Sequence, residues 1–333
     1  MIDPIELTRR LVAIPSPTGA EGPAVDHLGA MLEGLGYAVT QQTVTPGRCN
    51  LYAFREMPEV VFSTHLDCVP PYLALSEDDE LLHGRGTCDA KGLAAAMVAA
   101  AERLAAEGER RIGLLFLVGE ENGSDGARAA GDLSPKGRFL INGEPTENRL
   151  TIGQKGALGV HLRAEGRAAH SAYPDEGTSA ITRLLSVLNR LRALPLPLDP
   201  LLGPSTLNIG MISGGVAPNV IPPAAEARVL IRTVSPTEAL KGAVTACLEQ
   251  GVTAEFVGEI PAWKGEAPAG WESTVVSFAS DVPFLADWGE RFQMGPGTIR
   301  VAHTATERIS KAELLAGVDL YVRLARDLLA RPR

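Results

Sequence analysis

Unbroken apolar runs alternate with helix-spaced segments along the first half of the chain, and acidic residues follow most of the apolar runs. Residues 7–12 and 24–35 carry apolar positions at helical spacing, broken by Ser16-Pro17-Thr18-Gly19, and Gly36 fits a helix C-terminal cap. Residues 37–44 alternate as a strand. The runs at 60–62, 112–118 and 139–141 are apolar without alternation, which predicts strands buried on both faces. Between them, residues 89–104 read as an Ala-rich helix and 124–130 as a short one. Strands covered on both faces by helices make an α/β sandwich.

The character changes near Thr151. Residues 157–164 alternate as a strand, 179–194 form an amphipathic helix, and 207–213 and 224–234 read as two strands. A helix over 236–250 and a strand over 252–257 complete a β-α-β-β-α-β order, the ferredoxin-like split. After Trp271 the α/β pattern returns and closes on a helix over 310–329. The expected organisation is a discontinuous first domain, 1–153 and 263–333, interrupted by a compact α+β domain at 154–262.

Composition narrows the function classes. A length of 333 residues fits about two domains. A net charge of -9 would be repelled by a phosphate backbone, and 5% aromatic residues leave no stacking platform, so nucleic acid is not an expected partner. No apolar run is long enough to span a bilayer. Met1-Ile2-Asp3-Pro4-Ile5-Glu6-Leu7 has neither the basic start nor the apolar core of a secretory signal, so a cytoplasmic location is expected. Cys49, Cys68, Cys88 and Cys247 lack CxxC spacing and read as reduced thiols. Cys68 and Cys88 lie near the acidic motifs, but small buried filler is the commoner use of a cysteine.

Candidate chemistry collects at the predicted strand ends, where ligands gather in open α/β sheets. His65 and Asp67 end the first buried run, and positions i and i+2 of a strand face the same way. Asp89, in Gly86-Thr87-Cys88-Asp89-Ala90-Lys91-Gly92, precedes a helix and is either its N-cap or a ligand held at a turn. Glu120-Glu121 ends the next run. Two adjacent buried acids repel unless one binds a cation and the other shares or accepts a proton, which suits a ligand beside a general base. Glu144 follows the third run, and His303 lies far downstream; a solvated turn and a loop histidine are their plain alternatives. Two histidines with several carboxylates and no thiolate suit Zn²⁺, Co²⁺ or Mn²⁺. The set reads as a metal-hydrolase site.

Ser63-Thr64-His65-Leu66-Asp67, Gly84-Arg85-Gly86-Thr87-Cys88-Asp89-Ala90-Lys91-Gly92, Gly119-Glu120-Glu121 and Gly143-Glu144-Pro145-Thr146 carry a resemblance over nearly the whole chain. The chain resembles the co-catalytic zinc aminoacylases and metallopeptidases: acetylornithine deacetylase, succinyl-diaminopimelate desuccinylase, carboxypeptidase G and relatives. Glu144, where aminopeptidase members usually carry Asp, is similar to the deacylase branch. The resemblance implies a zinc-exopeptidase-like α/β/α sandwich with an inserted ferredoxin-like lid and dimerisation domain. It implies two divalent ions, zinc first, with cobalt or manganese as alternatives. His65 and Glu144 would hold one ion, Glu121 and His303 the other, and Asp89 would bridge them.

Glu120 would be the general acid/base and Asp67 would orient the His65 side. The resemblance further implies a homodimer, in which His170 of Ala169-His170-Ser171-Ala172 reaches the partner's site to stabilise the oxyanion. Unaided, His170 reads as a surface histidine. Asn219, Arg232, Gly295 and Gly297 match substrate-contacting positions. Shorter segments after Asp67 and Glu121 than in many relatives leave pocket shape, and so acyl and side-chain preference, open. The expected activity is removal of the acyl group from an N-acyl amino acid, of the acetylornithine or acetylcitrulline type used in arginine biosynthesis. Succinyl-diaminopimelate desuccinylase of lysine biosynthesis, a dipeptidase or a carboxypeptidase are the enzyme alternatives. A non-catalytic binding protein on the same fold is the remote one.

Overall fold

The computed structural model describes residues 2–332. The chain divides into two compact units: one comprises the chain up to Ile152, Gly265–Thr274 and the chain from Ser280, the other Gly153–Lys264 with Val275–Ala279. Residues 275–279, expected in the first domain, therefore belong to the second unit.

The first unit is built on a six-stranded sheet in the order Ala38–Thr45, Arg48–Phe54, Ile112–Leu117, Val60–His65, Phe139–Asn142, Glu290–Gln293. The last four run parallel, and the first two form an antiparallel edge. Every residue of Val60–His65, Ile112–Leu117 and Phe139–Asn142 is buried, the cause of the unbroken apolar runs. Successive side chains serve opposite faces. Val60, Phe62 and Ile141 pack with Leu11, Leu28, the Ala-rich helix Lys91–Ala106 and Tyr321 of the closing helix Lys311–Leu329. Val61, Leu115 and Leu140 pack with Tyr52, Ala127 and Trp288 on the other side. The strand Arg48–Phe54 was not expected, because both its faces are covered from Asn50 to Ala53 and the segment carries no alternation.

The second unit has the expected β-α-β-β-α-β order: Gly156–Glu165, Ala180–Arg192, Thr206–Gly214, Ala224–Thr233, Glu238–Ala246, Val252–Ile260. Its four strands are antiparallel, in the order Thr206–Gly214, Ala224–Thr233, Gly156–Glu165, Val252–Ile260. Leu158, Val160, Leu162, Val229 and Ile231 face the two helices through Leu184, Leu188 and Val244. Ala224–Thr233 alternates exposed and buried along its length. Among the described residues no helix is long and apolar enough to cross a membrane.

Candidate metal centre

The carboxyl ends of the parallel strands bring the predicted residues together. His65 is the last residue of its strand, Glu120 and Glu121 open a single 3₁₀ turn after Ile112–Leu117, and Glu144 stands two residues past Phe139–Asn142. Asp89 precedes the helix Lys91–Ala106, but the helix cap is Ala90 and no side chain caps it. The N-cap reading of Asp89 is thus corrected. Its carboxylate lies between two imidazoles: His65 Nε2 is 3.0 Å from Oδ1, and His303 Nε2 is 3.4 Å from Oδ2. His303 Nε2 is also 2.9 Å from Glu121 Oε2. One potential ligand atom from each of His65, Asp89 and Glu121 falls within a 4.8 Å cluster. Glu144 is buried, and its Oε1 has no hydrogen-bond partner among the described residues.

Protonation in this cluster follows from crowding. His65 Nδ1 lies 3.0 Å from the Asp67 carbonyl oxygen, which draws the ring proton to Nδ1. A neutral His65 would then point its Nε2 lone pair at the Asp89 carboxylate, an arrangement that needs a proton or a metal ion between them. Burial works against charge on His65, but Asp67 and Asp89 beside it outweigh burial and hold its pKa well above the usual range. Hydrogen bonds to Asp89 and Glu121 push His303 up to about 10. Burial would raise Asp89 too, yet His303 and His65 keep it below the ordinary carboxylate range. Burial, and then the charge of Glu144, push Glu120 well up; burial does the same to Glu144, and burial followed by Asp89 raises Glu121. The raised imidazole and carboxyl values mark places where a cation would serve, and the oxygen and imidazole donors fit a hard or borderline divalent ion.

Three supporting groups fix these turns. Asp67 Oδ1 accepts from the Glu120 N–H at 3.1 Å, and Oδ2 accepts from the Glu121 N–H at 3.1 Å and from Thr18 Oγ1 at 2.8 Å. So Asp67 grips the Glu120-Glu121 turn as well as His65. Gly119 has φ +77°, and a Cβ there would stand 1.8 Å from Asp125 Oδ1, so only glycine allows the turn. Asp125 is held in turn by Arg48, which also pairs with the buried Glu21. Glu307, which the sequence did not single out, takes four donors. Its Oε1 accepts from the N–H groups of Gly86 (2.8 Å), Cys88 (3.2 Å) and Asp89 (3.2 Å), and its Oε2 from Arg85 at 2.5 Å.

The remaining expectations divide. Cys68 and Cys88 are buried, and burial pushes Cys68 up to about 12 and Cys88 well above the usual thiol range, so both act as protonated filler. Gly295 donates its N–H to Thr146 Oγ1 and Gly297 donates to Glu313 Oε1. Both glycine N–H groups are thus engaged within the protein, and a Cβ at either position would meet close neighbours, 2.4 Å from Leu93 Cδ2 at Gly295 and 2.6 Å from Cys88 Sγ at Gly297. His170, Asn219 and Arg232 belong to the second unit. There His170 and Asn219 lie on paired loops: the Ser171 N–H donates to the Asn219 carbonyl, and the Ala172 N–H donates to His170 Nδ1 at 3.1 Å. Arg232 lies in the central strand Ala224–Thr233, opposite Thr206 on one side and Ala157 on the other.

Known proteins share this architecture and sequence. Residues 61–327 match the model of the peptidase family M20/M25/M40. A peptidase M20 domain-containing protein of Schizosaccharomyces pombe is 36% identical, covering 96% of this chain and 83% of the relative. A probable carboxypeptidase of Neosartorya fischeri is 36% identical, covering 97% and 86% respectively. An M20 family metallo-carboxypeptidase of Sulfolobus solfataricus has the same fold, with a TM-score of 0.80 over 98% of this chain and 99% of that one at 16% identity. By sequence, the chain belongs to peptidase family M20/M25/M40.

Proposed function

We propose that the centre holds two divalent ions and hydrolyses the amide that joins an acyl or aminoacyl group to an amino acid with a free carboxylate. The observation that carries this reading is the line His65–Asp89–His303, with Glu121 against His303. His65 and Glu144 would hold one ion, Glu121 and His303 the other, with Asp89 common to both. When bound, such ions supply Lewis-acid polarisation of the scissile carbonyl and a more acidic water. Zinc is the first choice for this donor set.

Glu120 takes a proton from the attacking water and returns it to the leaving nitrogen. Burial, and then the charge of Glu144, raise its pKa above the ordinary carboxylate range, which favours a group that must both accept and give a proton. With Nδ1 accepting the Ala172 N–H, a neutral His170 carries its proton on Nε2. In a homodimer, that N–H would be offered to the oxyanion in the partner subunit's site. Arg232 is the candidate counter-charge for the substrate carboxylate, and Asn219 a candidate contact.

Two substrate classes share the scissile unit. Glu144 supports N-acyl amino acids of the acetylornithine or acetylcitrulline kind. Relatives called carboxypeptidases support peptides cleaved at the C-terminus. Zinc- and cobalt-loaded enzyme, assayed on N-acetyl amino acids, succinyl-diaminopimelate, dipeptides and their C-terminal amides, should turn over acids of one or both classes and spare the amides. Equal turnover of acids and amides, or none of any compound by the metal-loaded protein, would sink the proposal.

A further inference from the structure

Asp89 is held from outside its own turn. It lies in the glycine-flanked turn Gly86-Thr87-Cys88-Asp89-Ala90, beyond the sheet and ahead of the helix Lys91–Ala106. The helix gives it no cap bond, and its carboxylate is engaged by His65 and His303. The turn closes on itself, with the Lys91 and Gly92 N–H groups donating to the Gly86 carbonyl and Thr87 donating to that of Gly84, and one buried carboxyl from the far end of the chain grips it from outside. Glu307 Oε1 gathers the N–H groups of Gly86, Cys88 and Asp89, and Arg85 closes on Oε2. Arg85 is itself buried and donates from Nε to the Pro71 carbonyl at 3.2 Å. Convergent main-chain N–H groups of this kind form an anion-binding concavity, and here the anion is a side chain of the same protein. Glu307 also follows His303 by four residues, so it ties the turn carrying Asp89 to the segment carrying His303.

We infer that Glu307, clamped by Arg85, is a positioning residue: it sets the separation of Asp89 from the His303 side, and with it the affinity of the centre for divalent metal. This rests on the proposed role of Asp89 between two ions. Glu307 touches neither the reacting atoms nor His65, Glu121 or Glu144 in any hydrogen bond. Its effect passes through the backbone of the Asp89 turn. Groups that orient ligands in this way change metal affinity about 10- to 100-fold when removed.

The test uses the full chain, stripped of metal and titrated with Zn²⁺ and Co²⁺ against a competing chelator, with Asp89→Ala measured in parallel. Glu307→Ala should weaken the metals about 10- to 100-fold and change the visible Co²⁺ spectrum. It should also lower kcat more than it alters KM. Glu307→Gln keeps an acceptor for the three N–H groups but faces Arg85 with an amide, and should lie between wild type and Glu307→Ala. If Glu307→Ala does not fold, Glu307→Gln carries the test, with weakened metal and an altered spectrum still expected. Variants that lose melting temperature alone, with wild-type metal affinity and Co²⁺ spectrum, overturn the inference and leave Glu307 as fold support. Asp89→Ala binding both metals as wild type does would overturn the metal reading itself, and this inference with it. Loss in Asp89→Ala without loss in the Glu307 variants would overturn this inference alone.

Discussion

Buried carboxyl groups around the strand ends fall into two populations. Asp67 and Glu307 are saturated: each collects three or four donors, most of them main-chain N–H groups. Glu144 and Asp281 are short of donors: each has a buried oxygen that finds no hydrogen-bond partner among the described residues, and the Ser124 hydroxyl beside Asp281 only partly offsets its burial. An ionised carboxylate left this way costs several kcal/mol in a dry interior, so it either takes a proton or awaits a cation. The contrast separates groups that build the turns from groups left short of donors. Burial alone would not do so, since all four are buried.

The comparison breaks most visibly at Glu120, for which we propose a chemical rather than a structural role. Glu120→Gln should retain metal, measured by elemental analysis, and lose about 100- to 10,000-fold in kcat. A fully active variant would remove Glu120 from the mechanism. The next effect is a crossing of signs in the metal-free protein. Glu144→Gln removes a carboxyl that lacks donors and should leave stability unchanged or raise it. Asp67→Asn sets an amide N–H against donors and should cost about 1–3 kcal/mol in denaturant unfolding. If both variants destabilise equally, the two populations are one. Added zinc should reverse the benefit at Glu144, because only the wild-type residue is a good ligand.

The smallest effect is a pH slope. Burial pushes Asp281 up to about 7, so the folded state binds its proton more tightly than the unfolded chain does. The stability linked to that proton is complete below the ordinary aspartate range and is lost as pH rises through about 7. Melting of the metal-free protein should therefore fall between about pH 5 and pH 8, and Asp281→Asn should flatten that segment. An unchanged slope would place the titration elsewhere.

Much of this was legible because strand ends announce themselves. The runs that end at His65, Glu120 and Glu144 are unbroken apolar sequence followed by an acid or imidazole, and a two-faced sheet leaves no other place for such groups than its rim. The second unit was legible from the alternation of residues 157–164 and from the amphipathic spacing of residues 179–194. Asp89 was ambiguous, since an aspartate before a helix is a common cap, and only coordinates show its side chain turned toward the imidazoles. Glu307 was invisible for a different reason. Most of its donors are backbone N–H groups, which every sequence has, and they lie more than two hundred positions away. Arg48 was missed similarly: its partners, Glu21 and Asp125, lie on separate elements and at no regular spacing.

The placement of Glu290–Gln293 beside Phe139–Asn142 bears on how the protein is made. During synthesis the chain leaves the main sheet after Phe139–Asn142, completes the unit running through Gly153–Lys264, and only then supplies the last parallel strand and His303. The interrupting unit draws its four strands from within its own span, so it can close while the main sheet still has an open apolar edge. A nascent or truncated chain ending before Glu290 exposes that edge to other chains. With His303 as a proposed ligand, metal loading would have to wait until this last stretch of the polypeptide is made.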